Sequence, residues 1–150
     1  MIRRDTVGRP MEILLVEDSL SDARLAIESL RSGKFKCRLT LVCDGDEAMQ
    51  FLRQEGPFRL APRPDLVLLD LGLPRMDGRE VLEQLRADPD LYTIPVVIQT
   101  SSATHEDMVR GEDLNVEGYM VKPLDSDKFL ELVRALKRYW MNDVILPTVD

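Results

Sequence analysis

Acidic side chains stand where apolar runs end. Glu17 and Asp18 close the run that begins at Met11, and Asp70 closes Asp65-Leu-Val-Leu-Leu-Asp70. Two further runs finish on other polar groups, Val96-Val-Ile-Gln-Thr100 on a hydroxyl and Tyr119-Met-Val-Lys-Pro123 on an ammonium. Crowded carboxylates repel one another, so such a set either keeps a proton or is neutralised by a cation. Oxygen ligands favour Mg2+, which combines one or two carboxylates with a phosphate oxygen, whereas zinc asks for His or Cys. A backbone carbonyl just after Asp70, that of Gly72, could supply a further ligand. Asp70 is the candidate nucleophile, because a carboxylate can attack phosphorus to give an acyl phosphate once a cation offsets the charge. Lys122 would then bind a phosphoryl oxygen, and its place before Pro123 biases it to the extended conformation of a strand end. Thr100 could donate its hydroxyl to another phosphoryl oxygen. Taken singly, Lys-Pro also suits a solvated loop and Thr before Ser101-Ser102 also suits a turn or cap; it is the joint spacing that points to phosphoryl chemistry.

The elements that must position these groups follow from periodicity. Ile13 to Val16, Leu39 to Val42, Leu66 to Leu69, Val96 to Gln99 and Gly118 to Val121 are short apolar runs, the form taken by strands covered on both faces. Between and after them lie segments with helical spacing: Leu20, Ala23, Ile27 and Leu30; Ala48, Phe51 and Leu52; Val81, Leu82 and Leu85; Met108, Val109 and Leu114; and Phe129, Leu132, Val133, Leu136 and Trp140. Ser19 three residues before Asp22 and Asp44 three before Glu47 read as N-terminal caps, Asp77-Gly78 breaks the chain before the third helix, and Ser126 is placed to cap the fifth. Strands alternating with helices predict an α/β protein with a doubly wound parallel sheet, since right-handed crossovers put helices on both faces. Ligands in such sheets bind beyond the carboxyl ends of the strands. Glu17, Asp18, Asp70, Thr100 and Lys122 all fall at that edge.

Composition narrows the function classes. The 150 residues are 44% hydrophobic, suited to one domain with a sizeable core. With 20 basic and 27 acidic residues the net charge is -7, which argues against non-specific binding to nucleic acid or an anionic membrane. No stretch approaches the roughly 20 apolar residues of a spanning helix, and residues 1–10, expected as a flexible segment, lack the apolar core of a signal peptide. A cytoplasmic protein is expected. Cys37 and Cys43 would lie roughly 20 Å apart along one strand, beyond disulfide reach. Their shared parity predicts two buried thiols.

The acidic pair Glu17-Asp18, the run Asp70-Leu-Gly-Leu-Pro-Arg-Met-Asp-Gly78, Thr100 and Tyr119-Met-Val-Lys122-Pro123 together resemble the receiver domains of two-component response regulators, over residues 11 to 140. The resemblance implies a flavodoxin-like sheet in the order 2-1-3-4-5. It implies that Asp70 accepts phosphate from a sensor histidine kinase, that Glu17, Asp18, Asp70 and the Gly72 carbonyl hold Mg2+, that Lys122 contacts the phosphoryl group, and that Thr100 senses it. The added charge would draw Thr100 inward and vacate space for Tyr119, which reports the state. Such a protein is a phosphoacceptor that assists its own phosphorylation and dephosphorylation, rather than a turnover enzyme. Leu60-Ala-Pro-Arg-Pro-Asp65, Tyr139-Trp140 and Val144-Ile-Leu-Pro147 further resemble the small response regulators paired with phytochromes.

Competing classes fare less well. A magnesium-dependent phosphatase with an aspartyl nucleophile would want an acid two residues beyond Asp70, where Gly72 stands, and a nucleotide hydrolase would need a glycine-rich Lys-Ser/Thr loop. A receiver-like binding module that works without phosphorylation is the alternative. Residues 141–150 leave no room for a DNA-binding unit, so output through protein contact is expected. Leu130, Tyr139, Trp140, Val144, Ile145 and Leu146 exceed what one amphipathic stripe needs, and predict a homodimer contact built in part from the tail; the alternative is a tail folded back over its own helix. The downstream target is not legible in the residues.

Overall fold

The computed structural model describes residues 10–32, 36–73 and 76–136. Five strands and five helices alternate: β1 (Met11–Val16), α1 (Leu20–Arg31), β2 (Cys37–Val42), α2 (Gly45–Arg53), β3 (Leu66–Asp70), α3 (Gly78–Ala87), β4 (Val96–Thr100), α4 (Ala103–Arg110), β5 (Gly118–Val121) and α5 (Ser126–Leu136), with a 3-10 turn at Gly56–Phe58. The sheet is parallel in every pairing and ordered β2-β1-β3-β4-β5. Strand order therefore reverses between β1 and β3, the point at which doubly wound sheets open a crevice.

Alternation along each strand divides the interior into two layers. Leu14, Val16, Val67, Leu69, Val96 and Ile98 face α2, α3 and α4, meeting Phe51, Leu52, Val81, Leu85 and Val109. Ile13, Leu15, Leu66, Leu68 and Val97 face the other way, onto Ala23, Ala26 and Leu30 of α1 and Phe129 and Val133 of α5. Each such Leu, Ile, Val or Phe contributes about 1.5–3 kcal/mol by leaving water, so the layers fix the sheet and, through it, the strand ends.

The helix starts are capped by side chains. Ser19, Asp44, Asp77 and Ser102 each accept a hydrogen bond from the backbone N–H three residues on. The fifth helix departs from expectation: Ser126 is its first residue, and Asp125 accepts the N–H groups of Asp127 and Lys128 through Oδ1. A carboxylate is the stronger acceptor for the positive end of a helix, so the cap lies one residue earlier. Four apolar residues also depart from expectation. Leu20 is 69% exposed, because the first residue of a helix leans toward the N-terminus and off the end of the packed stripe. Met108 is exposed while its neighbour Val109 takes the buried position on α4. Cys43 is exposed, since β2 ends at Val42 and strand parity no longer governs it, and Cys37 is only half-buried. Leu130 is half-buried against the α1/α5 layer, while Tyr139, Trp140, Val144, Ile145 and Leu146 lie outside the described residues.

Two arginines of α3 tie it to the segment between α4 and β5. Arg79 makes a two-pronged contact with Glu112, both bonds at 2.6 Å. Arg86 donates to the carbonyls of Tyr92, Ile94 and Asn115 and pairs with Glu117 at 2.9 Å, and Glu117 in turn accepts the Val96 N–H.

Candidate functional site

Strand register sets the levels of the site. Val16 pairs with Leu69, Asp70 with Gln99, and Thr100 with Val121, so Glu17, Asp70 and Gln99 stand at about one level and Thr100 one residue beyond. The Lys122 N–H donates to the Thr100 carbonyl at 2.7 Å, carrying the β4–β5 ladder past the strands and fixing where the Lys122 side chain begins; the Lys122-Pro123 peptide is cis. α3 starts close to β3 because Gly78 lies against it. Its N–H bonds the Leu71 carbonyl at 3.0 Å, and a Cβ there would come within 2.6 Å of the Asp70 carbonyl oxygen and 2.5 Å of the Leu71 Cα.

The expected acids converge. Carboxylate oxygens of Glu17, Asp18 and Asp70 lie within 4.8 Å of one another, with Glu17 only 1% exposed, Asp70 half-buried and Asp18 exposed. Nζ of Lys122 sits 2.7 Å from Glu17 Oε1 and 3.1 Å from Asp70 Oδ2. The other oxygen of Asp70, Oδ1, accepts the Gly72 N–H at 3.0 Å, and Glu17 Oε2 accepts the Ser19 N–H at 3.2 Å. Thr100, also buried, donates its hydroxyl to the Ser102 carbonyl at 3.4 Å. Tyr119 pairs with Ile98, two residues along the same face from the Thr100–Val121 pair, and its half-buried ring carries the Arg110 guanidinium 5.0 Å from its centroid.

Electrostatics divide the two buried acids. Burial pushes Glu17 up to about 7, with Asp70 adding to the rise and Lys122 opposing it. For Asp70, burial acts upward but is outweighed by the Gly72 N–H, the Glu17 hydrogen bond and Lys122, so its carboxyl ends below the usual range. Burial alone would lower Lys122; its contacts with Glu17 and Asp70 overcome that and raise it. Without a cation, therefore, the proton goes to Glu17 and the charge stays on Asp70. Clustered hard oxygen donors suit Mg2+ or Mn2+ rather than zinc.

Sequence reasoning missed one member. Asp22, read only as the N–H partner of Ser19, also places Oδ2 3.1 Å from Lys122 Nζ. Its spacing, one helical turn beyond Asp18, was the available signal.

A family model for the response regulator receiver domain matches residues 13–134. The chain belongs to the response regulator receiver family. This receiver is 41% identical to the response regulator Rcp1 of Synechocystis sp. over 143 residues, covering 95% of this chain and 97% of that one. The solved Mn2+-bound form of Rcp1 superposes with a TM-score of 0.68, covering 93% of this chain and all of the other. The bacteriophytochrome response regulator RtBRR is 37% identical, with a TM-score of 0.79 over 93% of this receiver and 84% of its own length. The phosphorylated cyanobacterial phytochrome response regulator RcpA is 40% identical, with a TM-score of 0.69 over 93% and 100%. Among the described residues of the receiver no helix is long and apolar enough to cross a membrane.

Proposed function

We propose that this receiver takes a phosphoryl group onto Asp70 from a sensor histidine kinase, a phytochrome, and signals through protein contacts that depend on that group. The observation that carries the reading is the pairing of Asp70 Oδ2 with Lys122 Nζ at 3.1 Å beside two further carboxylates within 4.8 Å. A carboxylate oxygen of Asp70 attacks phosphorus; the bond to the donor nitrogen breaks and the imidazole leaves with its electron pair, taking up a proton. Lys122 neutralises one phosphoryl oxygen and the Thr100 hydroxyl is free to turn from the Ser102 carbonyl toward another. Glu17, Asp18, Asp70 and the Gly72 carbonyl would hold Mg2+, which offsets charge between the acid and the incoming phosphate. The Mn2+-bound form of Rcp1 and the phosphorylated form of RcpA support this reading by likeness.

Movement of Thr100 toward the phosphoryl group opens space on the face it shares with Tyr119, so the ring, now under Arg110, reports phosphorylation to partners. The receiver unit spans residues 11–140 with 1–10 and 141–150 as flanking segments, and the tail residues Tyr139, Trp140, Val144, Ile145 and Leu146 form part of a homodimer contact. The test is to incubate the wild-type chain and Asp70→Asn with Mg2+ and a small phosphodonor, weigh the intact proteins and follow the Tyr119 ring by NMR. The expected result is one phosphoryl mass and a shifted ring signal in the wild type only. An unshifted mass would favour a binding module that works without phosphorylation.

A further inference from the structure

We infer that Asp22 is a positioning residue that holds Lys122 back from the phosphoryl group, acting as a brake on phosphoryl capture and retention. This rests on the reading of Asp70 as acceptor. An ammonium has three N–H donors and no acceptor. Here three carboxylates surround it, Glu17 at 2.7 Å, Asp70 at 3.1 Å and Asp22 at 3.1 Å. Hydrogen bonds run to Asp22 and Asp70, while Glu17 Oε1 makes an ion-pair contact only, so a phosphoryl oxygen on Asp70 competes with Asp22 for the ammonium.

The three contacts are not equally replaceable. Glu17 is buried and its second oxygen is tied to the Ser19 N–H. Asp70 is the acceptor itself. Asp22 stands in the first turn of α1 with its side chain 41% exposed, so water can replace Lys122 as its partner. Beside the pair lies a cavity of about 240 Å³ lined by Asp22, Leu25, Ser101, Lys122 and Pro123, which gives the released carboxylate room to swing out. Asp22 also contributes a negative charge near an incoming phosphate without joining the cluster of Glu17, Asp18 and Asp70. At roughly 6 Å, and at a dielectric between that of a protein surface and water, one such charge weakens anion capture roughly three- to tenfold.

The experiment compares wild type, Asp22→Asn and Asp22→Glu with Mg2+ present, measuring affinity for beryllofluoride and the lifetime of the phosphorylated chain by intact mass. Asn keeps the shape of the side chain and leaves the Ser19 cap on the backbone N–H intact. The expected outcome is three- to tenfold tighter beryllofluoride binding and a longer-lived phosphoryl group in Asp22→Asn, with Asp22→Glu restored to wild-type behaviour. A purely structural acid would give the opposite sign, and unchanged or weaker binding in Asp22→Asn overturns the inference. If the wild type gains no phosphoryl mass, the acceptor reading falls and the brake with it; if it gains the mass but Asp22→Asn binds beryllofluoride as wild type does, only the brake falls. A thermal double-mutant cycle between Asp22→Asn and Lys122→Met reads the pairing without any phosphate, and strict additivity there also overturns it.

Discussion

The proton on Glu17 makes cation binding depend on pH. Glu17 titrates at about 7 in the fold against 4.5 for an ordinary glutamate. Its folded value is raised, so the metal-free fold binds an extra proton between those two values. The stability this contributes, roughly 3 kcal/mol for a difference of that size, is fully present below about pH 4.5 and is lost as pH rises through about 7. A cation among the carboxylates needs the ionised form and must displace that proton. Between about pH 6 and about pH 8 the ionised fraction of Glu17 climbs from about one-tenth to about nine-tenths, so Mg2+ affinity should tighten roughly tenfold and then level off. Asp70, held below the usual range, and Lys122, held above its own, keep their charges across this window. Calorimetric titration of Mg2+ near pH 6.5, in buffers of different ionisation enthalpy, should count about three-quarters of a proton released per ion. Glu17→Gln should bind Mg2+ more weakly, with no pH dependence in the window, and its metal-free form should lose the decline in stability toward neutral pH. An affinity that is flat from about pH 6 to about pH 8 in the wild type, or a slope that survives in Glu17→Gln, would refute the reasoning.

Two further outcomes follow from packing. Gly78→Ala drives a methyl into the Asp70 carbonyl and the Leu71 backbone, and should cost about 2 kcal/mol, lowering Tm by roughly 4–8 °C in differential scanning calorimetry; an unchanged or raised Tm counts against the close approach of α3 to β3. Truncation after Lys137 removes Tyr139, Trp140 and Val144 to Leu146 and should abolish dimer in sedimentation equilibrium, whereas an unchanged mass rules the tail out of the contact.

Local signals made most of this fold and site readable. Five runs such as Leu66 to Leu69 are too short for helices and too apolar for surface strands, and each is followed by a capped amphipathic stretch, so the alternation and the doubly wound sheet follow from patterning alone. Glu17, Asp18, Asp70 and Lys122 were legible because strand ends in a parallel sheet share one edge. Asp22 was not, since its partner lies 100 positions away and its local role as a first-turn acid of α1 already accounted for it. Three of the misplacements share a cause. Cys43 sits one residue beyond β2, Leu20 is the first residue of α1, and Ser126 lost the cap to an adjacent carboxylate. Patterns average over an element, and its boundary residues obey end geometry instead.

The arginine clamp at Arg86 has a mechanical consequence. It ties the end of α3 to the entry of β4 and β5, with Arg86 only 13% and Glu117 only 15% exposed. Thr100 and Lys122 lie at the opposite end of these strands, where Lys122 shares its contacts with a partly solvated Asp22. A strand pinned at its base and adjustable at its tip behaves as a cantilever. Displacement at Thr100 would then tilt the β4–α4 junction about this clamped end, toward the side where Arg110 covers Tyr119.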